Sequence, residues 1–424
     1  MHERINTTEV VSGNVLIHQV EDLAIFLEQP YTIVPTPRVR NLMGEMHTLA
    51  NGIIEVSEPQ SFYELVMSEL KRRLITDSMY LSRYTKEEFL QLNEVIDTYG
   101  ISWDDVEQFE GWLDENTGKV EALNDRLSKE SREHRSSVPI GSFKVRYEAE
   151  KVLDNKITSL RNFLSNSLAD QPGVIELLKD YRFVADFIYS RSYHDGESKI
   201  VGFSTSKILY MRDGQVCVDE AELIRIFGHE VLGHTRQQVV TEGAEELPYF
   251  LRTKTGYAID ASGESISQYF QDRIFDYLLA DPEAADGLGF DKPFEQIYQD
   301  YQNTQLLRNY WRNLEHFGIV TLARSSESDS KNQIDTLLRY SVDKSWPVDF
   351  VFRHRGDWDR STGRLVPRIV HELRYSANPV GRIMSGVAID KIAVAEGLIL
   401  RGFWTPRGLE QWVNFNLEDN HQIK

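Results

Sequence analysis

The sequence predicts an α+β fold, mostly helical, with one small antiparallel sheet and one deformed helix. Three observations carry this. Apolar residues recur at helical spacing through much of 61–187, strand-like runs joined by a turn occupy 200–218, and a helix then opens behind Asp219. The chain has 424 residues, 41% hydrophobic and 27% charged, enough for one large domain or two medium ones with real cores.

Taken in order, the first 40 residues hold Val15-Leu16-Ile17 and then Pro30, Pro35 and Pro37, which suit an extended entry segment. Phe62, Leu65, Val66 and Leu70, and again Phe89, Leu92, Val95 and Ile96, mark helices. The stretch 121–135 is densely charged and reads as a solvated helix face. Small residues with Pro139 and Gly141 break the pattern at 136–141, so the expected division is a helical N-terminal region, 1–140, and a second domain, 141–424. Beyond it, Val152, Ile157, Leu160, Leu164 and Leu168 share a helix face over 147–168. A further helix is expected behind Pro172, running to about Phe187. Strands follow at 200–203 and 207–211. Arg212-Asp213-Gly214-Gln215 forms the turn, and Val216-Cys217-Val218 returns. Asp219 is suited to cap the next helix, with Glu220 and Glu222 in its first turn.

The net charge of −19 disfavours nucleic acid and anionic membranes as partners. The single cysteine, Cys217, excludes an internal disulfide and reads as a small buried hydrophobe. No signal peptide or membrane-length apolar run is visible, so a cytoplasmic protein is expected. Nothing in the sequence fixes the oligomeric state.

The chemistry concentrates in Gly228-His229-Glu230-Val231-Leu232-Gly233-His234, an HExxxH motif one residue longer than HExxH. On a regular helix, residues five apart point about 140° from one another, so the two imidazoles would not meet one ion. A π-type bulge returns them to one side, and Gly233 is expected to permit the distortion. A catalytic zinc then needs a third protein ligand. Glu264, read as the start of a following helix with Ser262 as a possible cap, is the first candidate; Glu242, Glu245 and Glu246 are rivals. Glu230 is the candidate general base.

HExxxH followed by Gly256-Tyr257-Ala258-Ile259-Asp260-Ala261-Ser262-Gly263-Glu264 resembles the family of the microtubule-associated tyrosine carboxypeptidase and its bacterial QEGLA-motif relatives. The resemblance implies a gluzincin-like metallopeptidase domain over 141–424, with one Zn2+ held by His229, His234 and Glu264 and with Glu230 as base. It continues in Phe352-Arg353-His354-Arg355-Gly356, like the family's RxxRG segment, and in Asp390-Lys391-Ile392 through Pro406. The QEGLA stretch itself is reduced here to its glutamate. HEVLGH is also similar to the HELLGH of dipeptidyl peptidase III, a second family with the same metal chemistry.

These features lead to the expectation of a zinc-dependent carboxypeptidase that removes a residue from the C-terminal tail of a protein or peptide. Seven arginines and no lysine lie between 353 and 382, and arginine's planar fork suits a terminal carboxylate; Arg353 and Arg355 are the candidates. The −19 charge disfavours an acidic tubulin tail as substrate. The alternatives are a dipeptidyl peptidase III-like exopeptidase, a hydrolase of non-peptide amides, and a non-catalytic peptide-binding protein on a peptidase fold.

Overall fold

The computed structural model describes residues 7–27, 36–82, 103–134, 138–139, 143–189, 191–254, 257–324, 330–343, 347, 350, 358–359, 364–365 and 378–418. It is mostly helical with small sheets. Residue contacts divide the chain into two compact units, neither continuous in sequence. Residues 1–117, 244–265 and 310–424 form one; 118–243 and 266–309 form the other. The divisions fall at 117, 243, 265 and 309, and three long helices run unbroken through the cuts.

In the first unit, helices Thr8–Leu27, Thr36–Gly52 and Phe62–Ser82 pack together. The entry segment is therefore helical, not extended. Leu16, Ile17, Val20 and Leu23 are buried at i, i+1, i+4 and i+7, a stripe that outweighs the nearby prolines. Pro37 sits in the first turn of the second helix, where its missing N–H costs nothing; Pro30 and Pro35 lie outside the described residues. The third helix buries Leu65, Val66 and Leu70 as the spacing requires, whereas the expected helix around Phe89–Ile96 also lies outside the described residues.

Polar ties fasten the third helix to distant chain. The guanidinium of Arg73, fully buried, donates to Phe250 O at 2.7 Å, and Glu69 accepts from Thr405 Oγ1 at 2.7 Å. Arg73 Nη2 also stands 3.6 Å from Asp77, whose carboxyl is pushed up to about 7 by burial. The stacked indoles of Trp404 and Trp412, with ring centroids 5.1 Å apart, fill the core beside the C-terminal helices.

In the second unit, helix Phe143–Ser167 buries Leu153, Ile157, Leu160 and Leu164 on one face. The helix expected over 172–187 is much shorter. Val174–Asp180 is helical, Tyr181 turns to extended backbone, and β1 (Arg182–Asp186) follows. Those five residues pair parallel with β3 (Ile200–Ser204), and β2 (Tyr193–Asp195) pairs antiparallel with its other side. The sheet is thus mixed, in the order β1-β3-β2. Separate from it is the antiparallel hairpin of β4 (Leu209–Arg212) and β5 (Gln215–Val218). Its strand begins two residues later than expected, after one helical turn at Thr205–Ile208. Asp213 and Gly214 both adopt left-handed backbone, with φ of 52° and 77°, the pair needed to close a two-residue hairpin. Cys217 is half-buried on that hairpin rather than in a core. No helix among the described residues is long and apolar enough to cross a membrane.

Candidate metal centre

The site grows from one continuous helical rod. Asp219 caps its start, accepting from Glu222 N at 3.2 Å. Regular helix Glu220–Ile226 passes into a π-helix at Phe227–Thr235 and back to α-helix at Arg236–Glu242. The six-residue motif lies wholly within the widened part, as its spacing demands. Thr235 Oγ1, fully buried, donates to Glu230 O at 2.6 Å, giving a carbonyl of the distorted turn a side-chain partner.

Aromatic packing sets the rod on the sheet. Phe227 lies 5.9 Å from Phe203 of β3 and 5.8 Å from Phe183 of β1, ring to ring. Its opposite side meets helix Tyr257–Ala280, and two glycines let the backbones close. A Cβ built at Gly233 would fall 2.5 Å from Ser267 Cα, and one at Gly228 would fall 2.7 Å from Phe270 O. Gly233 carries no left-handed backbone, so its role is close approach rather than the conformational freedom the sequence suggested. Gly233→Ala is therefore expected to push the helices apart, lower stability by about 1–3 kcal/mol and weaken metal binding. Thermal unfolding and zinc titration of the variant check this, and unchanged affinity would contradict it.

Close approach brings the carboxylate in. His229, His234 and Glu264 each offer a donor atom, all within 4.8 Å of one another, and form the group with this property among the described residues. The rings of His229 and His234 stand edge to face, centroids 5.0 Å apart. His234 is buried, whereas His229, Glu230 and Glu264 are half-buried, so the cluster is partly accessible. Glu264 is not at a helix start. Its helix begins at Tyr257, and Ser262 is buried within it, so it is no cap. Glu264 instead sits one turn before Ser267, the residue Gly233 touches, on a helix that runs unbroken past the contact division at 265.

The rival carboxylates are elsewhere. Glu242 accepts from Lys199 Nζ at 2.8 Å, Glu246 pairs with Arg401 at 2.7 Å, and Glu245 is exposed. Arg353 and Arg355, together with the whole RxxRG segment, lie outside the described residues.

A buried polar lattice braces the rod below the motif. Arg225 pairs with Glu222 at 2.9 Å and donates to Gln271 Oε1 at 2.7 Å, linking the two helices that carry the cluster. Burial alone would raise the Glu222 carboxyl, but Arg225 and Arg308 hold it below its ordinary range. Lys156 Nζ reaches Glu220 at 2.9 Å and ties helix Phe143–Ser167 to the same rod.

Two imidazoles and one carboxylate within 4.8 Å of one another and only partly buried fit the donor set of a three-ligand zinc site. One residue beside the cluster escaped the sequence reading. His194 of β2 stacks on His234, centroids 5.4 Å apart and planes 17° from parallel. The sequence carries no local signal for it; the sheet pairing brings it to this place. No family model, curated protein or solved structure matches the chain.

Proposed function

We propose that this protein is a zinc-dependent metallopeptidase, acting as a carboxypeptidase on the C-terminal tail of a peptide or protein. The observation that carries the reading is the gathering of His229, His234 and Glu264 within 4.8 Å of one another, with Glu230 next to the first of them in sequence. In this reading the three side chains hold the ion. When bound, zinc would supply a Lewis acid for the scissile carbonyl and lower the pKa of a water to about 7.

The chain's own residues do the rest. A Glu230 carboxylate oxygen takes a proton from the attacking water as the C–O bond forms. It returns that proton to the leaving nitrogen as the C–N bond breaks, so no net charge is left on the site. Half-burial keeps that carboxylate reachable by substrate. The π-helix holds both imidazoles on one side, and the close packing of Gly233 on Ser267 holds Glu264 opposite them.

The resemblance to the tyrosine carboxypeptidase family supports C-terminal trimming over other exopeptidase action, and the acidic chain favours a substrate that is not itself strongly acidic. Mass spectrometry tests this. Zinc-loaded protein incubated with peptides of varied C-terminal residue is expected to yield products one residue shorter at that end. Release of N-terminal dipeptides would favour the dipeptidyl peptidase III-like alternative. Intact peptides in every case would contradict peptidase action.

A further inference from the structure

We infer that His194 is a positioning residue for the metal centre, acting through its stack on His234. The inference rests on the reading of His229, His234 and Glu264 as metal ligands. Strand register sets the geometry. His194 of β2 stands directly across from Val201 of β3, so the two side chains share a sheet face. Phe203, two residues along β3, shares it as well, and so does Phe183, which pairs with Val201 from β1.

That face is the one laid against the π-helix. Phe183 and Phe203 bracket Phe227 at one end of the motif, and His194 meets His234 at the other. The neighbouring β2 residue, Tyr193, points to the opposite face and covers Gly202 so closely that a Cβ there would lie within the ring's contact distance. Register slip of β2 is thereby blocked, and His194 is committed to the metal side. Beyond the strand, the Gln238 side chain lies 3.6 Å from where a Cβ at Gly196 would be, so the chain after β2 stays beside the rod.

A ligand imidazole has two soft torsions, and rotation about the second swings its donor atom off the metal. Residues that fix ring orientation without touching the metal commonly govern affinity. A flat ring 17° from parallel and 5.4 Å away restricts that rotation from one side, while the edge of His229 restricts it from another. Aromatic shape is what the stack requires.

The test compares zinc Kd, by competition with a chromophoric chelator, for wild type, His194→Phe and His194→Leu, alongside thermal unfolding of the metal-free proteins. His194→Leu is expected to weaken zinc binding about tenfold or more. His194→Phe, keeping a flat ring, is expected to stay within about threefold of wild type. The metal-free unfolding midpoints of all three should agree, which a merely structural role would not produce. Equal affinity of His194→Leu and wild type would overturn the inference, as would a phenylalanine variant as weak as the leucine one. If His194→Leu does not fold, His194→Gln takes its place in the same comparison. Wild type that fails to bind zinc would instead overturn the metal-site reading itself.

Discussion

Glu230→Gln is expected to keep its zinc and lose turnover by about 10²–10⁴-fold. The substitution is isosteric and sits beside His229 in sequence, outside the group His229, His234 and Glu264. Its backbone role survives too, because Thr235 bonds the carbonyl of residue 230 and not its side chain. What disappears is a carboxylate able to accept a proton, since an amide oxygen at neutral pH is not a base. The check is zinc content and peptide cleavage rate on one preparation. Normal metal with a rate near wild type would remove Glu230 from the mechanism. Loss of metal along with rate would mean that the residue holds the site together.

The second large effect is expected from the ligands. His234→Ala removes a buried imidazole and leaves one imidazole and one carboxylate, too few to hold zinc against water and buffer. Glu264→Ala should act similarly for a different reason. It deletes the donor from the facing helix, and the two remaining ligands then come from a single rod. Neither change should unfold the protein. His234 lies on a rod anchored by Phe227 and by the Glu222–Arg225–Gln271 lattice, and Glu264 is half-buried in a helix whose core contacts are Ile266, Phe270 and Ile274.

How much of this was legible beforehand depends on where the physical cause resides. The π-helix was readable, because ligand spacing and helix pitch are both local quantities and their conflict has one simple resolution. The Asp213-Gly214 turn and the Asp219 cap were readable for the same reason: each is decided within four residues. Errors arose where tertiary contacts decide. Arg182–Asp186 reads as the tail of a helix until β3 offers it a partner in register. The first helix hid behind nearby prolines because its buried stripe needs two other helices to cover it. The motif singles out Gly233, but the reason for a glycine there is a contact. Nothing in the sequence says that Ser267 will lie against it. His194 was invisible for a similar reason, since its partner is 40 positions away and met through a sheet edge.

HExxxH gives two of the three residues of the cluster, and long-range contacts bring the third. A histidine pair on a core helix requires no third ligand. Here two glycines remove the side chains that would hold a second helix away, and a glutamate one turn from the contact joins the cluster.

The most direct measurement is zinc per chain, by elemental analysis, for wild type, His234→Ala and Glu264→Ala purified side by side without chelator. The account predicts about one zinc per wild-type chain and sharply less in both variants. Wild type that is metal-free and does not take up added zinc would contradict it.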